Sequence, residues 1–225
     1  MAPIIALDRV TKQYRRGRDQ VPVLSEFNLE IVAGDFVAIM GPSGSGKTTL
    51  LNLIAGLDIP TSGSVTVADV RIDMLSRREL AHWRARHIGF IFQFYNLMPT
   101  LSAFRNIEIP LLLTALTAVE RRRKVTAALE LVGLSDRQKH KPYELSGGQQ
   151  QRVAIARALV GDPTILACDE PTGDLDRQTA DEILGLLQKL NRIYGKTVVL
   201  VTHDPKASEY ATHRLLVDKG RLVLA

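Results

Sequence analysis

Four short apolar runs punctuate the chain: Phe36–Met40, Ile88–Phe92, Thr164–Cys168 and Thr197–Thr202. Their length and apolar continuity predict strands buried on both faces. Between them the period lengthens. Ala180, Ile183, Leu187 and Leu190 share one helical face, with Gly195 as a stop signal. Lys47–Ala55 is a second helical run, closed by Gly56. Strand and helix in alternation predict an α/β fold with a mostly parallel sheet.

The middle of the chain breaks this rhythm. From about Leu97 to Leu159 the pattern is helical throughout, including Ala118–Val132 and Gln149–Val160, and no strand is expected. This stretch is predicted to be a helical subdomain, about residues 94–159, inserted between core segments 1–93 and 160–225 of one domain. The first 35 residues and Ser64–Ile72 alternate over short spans, which predicts a small antiparallel sheet beside the core. The basic run Arg121–Lys124 reads as a solvated helix face.

Composition narrows the class. With 225 residues, 45% hydrophobic and 24% charged, the chain is ordinary for a globular domain, which excludes extensive disorder. A net charge of +5 suits a nucleotide, nucleic acid or an anionic membrane surface without choosing among them. Cys168 is the sole cysteine, so a disulfide framework and a cysteine zinc cluster are both excluded. A reducing, cytosolic compartment follows as the expectation. Asp8 and Arg9 interrupt the apolar start, so no signal peptide is expected. The longest apolar stretch, Ile109–Val119, contains Pro110 and falls short of the roughly 20 residues that span a bilayer. Work at a membrane would therefore need an anchor supplied by a partner.

The chemistry is carried by three segments. Gly41-Pro42-Ser43-Gly44-Ser45-Gly46-Lys47-Thr48 fits G-x-x-x-x-G-K-[ST] between a predicted strand and a predicted helix that continues through Thr49. Its glycines let successive N–H groups face phosphate oxygens, Lys47 is expected at the β- and γ-phosphates, and the Thr48 hydroxyl on magnesium. Asp169 and Glu170 follow a buried strand, where ligands sit in open α/β sheets. Asp169 is a candidate magnesium ligand and Glu170 a candidate for polarising the attacking water. In the third segment, Glu144–Arg152, Ser146 is a good N-cap ahead of Gly147, Gly148 and Gln149. That gives a second helix N-terminus suited to an anion, as if another chain's nucleotide were bound there.

Together, GPSGSGKT, Gln93, LSGGQ, ILACDEPTGDLD and His203 resemble the ATP-binding subunit of an ABC transporter over essentially the whole chain. The resemblance implies a P-loop NTPase with a RecA-like core, and ATP and Mg2+ as ligands. It implies that Tyr14 stacks on adenine, although as a lone aromatic in an early strand Tyr14 also suits a core position. Gln93 would sense magnesium and the attacking water, and His203 would contact the γ-phosphate. Glu170, His203, Gln93 and Lys47 form the expected catalytic set, and Thr48, Gln93 and Asp169 the metal set. Ser146, Gly147, Gly148 and Gln149 would close on the nucleotide of a second copy in a head-to-tail dimer, and Asp176 would communicate across it.

EPTGDLD, GFIFQFYNLMPTLSAFRNI and TKQYRRGRDQVPVL are most similar to the LolD, MacB and FtsE group. Two departures from the usual pattern, Asp174 and Cys168, touch none of the chemistry, and Cys168 reads as buried and inert. The group implies a peripheral position on the inner face of the membrane, through a permease with a large extracytoplasmic part. Phe94, Tyr95, Leu97 and Met98 suit either of two places: exposed, where a docking helix could meet them, or packed within the helical subdomain. Two alternatives remain at this stage: a regulatory FtsE-like ATPase that moves no substrate, and a soluble ABC ATPase of DNA repair or translation. The second is disfavoured because the chain lacks a duplicated ATPase unit, a coiled coil and zinc cysteines, and no nucleic acid partner is expected.

Overall fold

A computed structural model describes residues 2–17 and 19–223. Arg18, in the loop-bearing segment TKQYRRGRDQVPVL, lies outside the described residues, as do Met1 and the last two residues. The strands are β1 Pro3–Arg16, β2 Asp19–Val32, β3 Phe36–Met40, β4 Ser62–Val67, β5 Val70–Arg71, β6 Ile88–Phe92, β7 Ile165–Asp169, β8 Thr197–Val201, β9 His213–Asp218 and β10 Arg221–Val223. The helices are α1 Lys47–Ile54, α2 Arg77–His87, α3 Ala103–Glu108, α4 Ala118–Leu131, α5 Gly147–Leu159, α6 Arg177–Tyr194 and α7 Pro205–Ser208.

Two sheets result. The larger runs β10-β9-β3-β8-β7-β6, parallel except for β10. The smaller is antiparallel, β2-β1-β4-β5. Strict alternation along the parallel strands sends side chains to opposite faces. Phe36, Leu166, Cys168, Val198 and Leu200 join the apolar sides of α3, α4, α5 and α6. Val37, Ile39, Ile165, Ala167, Val199 and Val201 meet α1, α2 and the antiparallel sheet. The stretch from Leu97 to Leu159 holds α3, α4, α5 and 3-10 turns, with no strand.

Two sequence expectations need correction, and one helix was not foreseen. β1 and β2 are each 14 residues long, not short, and register shifts interrupt their pairing. Arg9 and Glu26 take positive φ at these irregularities, which scrambles the period of two on which the shorter strands were predicted. α2 was not anticipated, because only Leu80 and Trp83 are buried along it. Arg121, placed on a solvated face, instead donates to Glu108 at 3.2 Å, while Arg122, Arg123 and Lys124 are exposed.

Candidate active site

The topology delivers its functional side chains in a row. Passing across the sheet from β3 through β8 and β7 to β6, the carboxyl ends carry the phosphate loop, His203, Asp169 with Glu170, and Gln93.

The loop after β3 is held by close approach. Gly41 has φ +149°, and a Cβ there would lie 2.0 Å from the Val217 carbonyl oxygen of β9. Gly46, with φ +101°, begins α1 and caps it with no side chain, so the first-turn N–H groups remain directed toward the loop. The β9–β10 turn closes the back: the Gly220 N–H donates to the Ser45 carbonyl at 3.1 Å, and the Ser25 N–H donates to the Gly220 carbonyl at 3.2 Å. Lys47, only 6% exposed, donates to the carbonyls of Gly41 and Pro42 at 2.9 and 2.8 Å. The Ser45 hydroxyl is buried with no hydrogen-bond partner. A buried orphan hydroxyl, an uncapped helix start and a buried ammonium together fit a polyphosphate. A cavity of about 650 Å3 opens here, lined by Val23, Ser43, Gly44, Gly46, Lys47, Thr48, Thr49, Glu170 and His203. Val23, at a shift in the β1–β2 register, was not foreseen.

The Thr48 hydroxyl donates to Asp169 Oδ1 at 3.1 Å. Burial pushes the Asp169 carboxyl above its ordinary value; the Thr48 bond pulls it down, the Glu170 charge raises it again, and Lys47 lowers it. Hard oxygen donors in this pairing fit magnesium, an ion that keeps water and phosphate oxygens in its shell and needs few protein ligands. Among the described residues, no three His, Cys, Asp or Glu side chains cluster in a way that could cage a metal. Glu170 has φ +46°, a costly conformation for a non-glycine residue, and its N–H donates to the Val201 carbonyl at 2.9 Å. Its Oε2 lies 2.9 Å from His203 Nδ1. Cys168 is fully buried, and burial followed by the Asp169 charge raises its thiol far above the usual range, so it is no nucleophile.

Around Gln93 the chain is pinned from α5. Gln151, fully buried, donates to the carbonyls of Phe92 and Pro171 at 3.3 and 2.5 Å, tying the end of β6 to the loop after Glu170. Arg157 donates to the carbonyls of Asn96 and Tyr95 at 2.5 and 2.8 Å, and both of those residues have positive φ. Gly173 packs against the Gln93 amide, where a Cβ would meet Nε2 at 2.9 Å. Neither Gln151 nor Arg157 was anticipated. Of the two places open to each, Phe94 and Met98 take the exposed one, whereas Tyr95 and Leu97 are half-buried. Leu97 packs on the helical core, and the Tyr95 hydroxyl rests against Gly147.

Ser146 caps α5: its Oγ accepts from the Gln149 N–H at 3.3 Å, and Gln149 Oε1 accepts from the Ser146 N–H at 3.0 Å. Asp176 caps α6, taking the Thr179 N–H at 3.0 Å and hydroxyl at 2.6 Å. Tyr14, 41% exposed, donates its hydroxyl to Asp58 Oδ2 at 2.7 Å. Tyr14, Gln93, Ser146–Gln149 and Asp176 do not line the phosphate cavity of this chain.

The family model described as ABC transporter matches residues 24–173, two-thirds of the chain. The chain belongs to the ABC transporter family. An ABC transporter ATP-binding protein of Bacillus subtilis, YvrO, is 47% identical over 98% of this chain and 96% of its own length. The lipoprotein-releasing system ATP-binding protein LolD of Coxiella burnetii is 44% identical over 98% of this chain and 95% of its own. The macrolide export ATP-binding/permease protein MacB 1/2 of Paracoccus denitrificans is 46% identical over 99% of this chain, which spans 33% of that protein. Among solved structures, the dimeric post-hydrolysis state of the Methanocaldococcus jannaschii cassette MJ0796, bound to ADP and Pi, superposes with a TM-score of 0.90. It is 44% identical, with 98% of this chain and 97% of that one covered. The fold is thus that of the ABC ATPase cassettes, P-loop NTPases, and this is an ATP-binding chain of a family whose members hydrolyse ATP. Among the described residues no helix is long and apolar enough to cross a membrane.

Proposed function

We propose that this chain is the magnesium-dependent, ATP-hydrolysing subunit of a LolD/MacB-like transporter, working as a head-to-tail dimer beneath a membrane permease. The observation that carries the reading is the row of strand ends holding the phosphate loop, His203, Asp169–Glu170 and Gln93 side by side. The phosphate loop from Gly41 to Thr49 binds the triphosphate, and Lys47 turns from its carbonyl partners to the β- and γ-oxygens. Thr48 and Asp169, with Gln93, hold magnesium, which offsets charge on the phosphates when bound. Glu170 polarises the attacking water, and His203, in contact with Glu170 Oε2, orients it and meets the γ-phosphate. Tyr14 stacks on the base.

Ser146, Gly147, Gly148 and Gln149 present a helix N-terminus outside this chain's own cavity, which suits them to a second copy's γ-phosphate. Asp176, at the start of α6, then faces the dimer seam. ATP binds the closed pair better than the open one, and that difference in affinity drives closure. Exposed Phe94 and Met98, beside Gln93, are where the permease docks, holding the chain on the cytoplasmic face of the membrane. The helical segment, about residues 94–159, carries this docking surface as a unit.

Tagged Glu170→Gln protein tests the reading. It is expected to bind ATP, arrest turnover, dimerise with ATP, and bring down a permease with a large extracytoplasmic part from solubilised membranes. Wild-type hydrolysis removes Glu170 from its role. Recovery of ribosomes or DNA-repair proteins alone removes the transporter coupling.

A further inference from the structure

Tyr14 stands on an arm that the sheet does not support. β1 pairs with β4 only as far as Thr11 with Ser62, whereas its pairing with β2 continues through Tyr14–Val21 to Arg16–Asp19. Past Thr11 the arm pairs only with β2, as a two-stranded ribbon of marginal stability by itself. Among the described residues, its one main-chain tie to the β4 side is the Gln13 N–H, which donates to Thr61 Oγ1 at 3.0 Å and leaves the neighbouring ring free. A register shift at Lys12/Gln13 loosens it further. A ring on such a ribbon needs side-chain ties to hold one orientation.

Asp58 supplies them. Its Oδ2 accepts the Tyr14 hydroxyl at 2.7 Å, and its Oδ1 accepts Lys12 Nζ at 2.6 Å. Lys12, 8% exposed, also donates to the Ile59 carbonyl at 2.8 Å, and its ammonium lies 4.8 Å from the Tyr14 ring centroid. One face of the ring is thereby occupied by a cation. Asp58 itself is anchored to the phosphate-binding helix: the N–H groups of Leu57 and Asp58 donate to the Asn52 carbonyl at 2.8 and 3.2 Å. Arg84 secures the same turn through the Gly56 carbonyl at 2.7 Å.

We infer that Asp58 is a positioning residue for nucleotide binding, fixing the Tyr14 ring relative to the phosphate loop through paired bonds to Tyr14 and Lys12. The inference deepens, and rests on, the reading of Tyr14 as the base platform. A carboxylate is required because both oxygens must accept. An amide offers one acceptor and would turn N–H toward either the phenol proton or the ammonium.

Calorimetric titration with ATP and with inorganic tripolyphosphate separates the base from the phosphates. Tyr14→Ala is expected to weaken ATP by about 5- to 150-fold, the range of one base–aromatic stack, with tripolyphosphate unchanged. An unchanged ratio of the two affinities overturns the base-platform reading itself. Asp58→Ala is expected to weaken ATP about two- to tenfold, leave tripolyphosphate unchanged, and add nothing in the Tyr14→Ala background. Equal weakening of both ligands, or full additivity with Tyr14→Ala, overturns the positioning role while leaving the platform intact. Should Asp58→Ala fail to fold, Tyr14→Phe keeps the ring and deletes the tie. It is expected to show the same base-selective loss, and wild-type ATP affinity in that variant overturns the inference.

Discussion

Gly148, the second residue of α5, has a packing constraint that can be removed separately from its place in the LSGGQ segment. A Cβ built there would sit 2.4 Å from Thr179 Cγ2 on α6, while the next Thr179 atom, its Cβ, would be an ordinary 3.7 Å away. The clash thus belongs to a single methyl group. Thr179 cannot rotate away freely, because its hydroxyl and N–H both serve the Asp176 cap. Overpacking of this size costs about 1–3 kcal/mol. Alanine's better helix propensity returns up to about 1 kcal/mol. With that return taken in full, Gly148→Ala should destabilise the fold by up to about 2 kcal/mol, a melting drop of up to roughly 8 °C for a chain of this size. Thr179→Ser deletes the methyl and keeps both capping bonds, so Gly148→Ala/Thr179→Ser should melt at or above wild type. Urea denaturation of the four proteins measures the coupling. If the double variant stays as unstable as Gly148→Ala, the steric argument is wrong. ATPase activity of the rescued variant then separates packing from phosphate approach as the demand for glycine.

Asp169→Asn addresses the buried carboxylate. Because the folded pKa is raised, protons favour the folded state, and the stability contributed is present at low pH and lost as pH rises through the folded value. At neutral pH without nucleotide, Asp169→Asn should therefore melt above wild type, the gap closing below the ordinary carboxylate range, while magnesium-dependent ATP binding weakens; equal melting at pH 7 refutes this. Arg157→Ala should speed amide exchange across Gln93–Met98 by releasing the Tyr95 and Asn96 carbonyls, and Arg157→Lys should not restore protection, since an ammonium lacks the planar fork. Unchanged exchange would show that the loop holds itself.

What the sequence revealed was the chemistry that must be contiguous. A phosphate loop needs its glycines, lysine and threonine in one turn, and a strand-end carboxylate pair needs an apolar run before it, so Gly41–Thr48 and Asp169–Glu170 stood out by spacing. Gln151 and Arg157 did not, because their partners are main-chain carbonyls of residues far along the chain, which leave no mark on composition. α2 hides for another reason. Its helix is defined at the start by the Ser76–Glu79 capping box, a legible signal, but two buried residues give it almost no periodic face. Whether Tyr95 is free or packed was not legible, because its burial depends on Gly147, a neighbour that only the folded helical segment brings near.

The grip of Gly220 on Ser45, and of Val217 on Gly41, also bears on how the protein is made. The phosphate loop leaves the ribosome early, but the backbone that braces it is translated roughly 180 residues later, a lag of about 10–35 s at 5–20 residues per second. During that interval a nascent chain carries the whole nucleotide-binding motif without its mould. However early its own residues emerge, the loop takes its final shape only once the β9–β10 hairpin is in place against it.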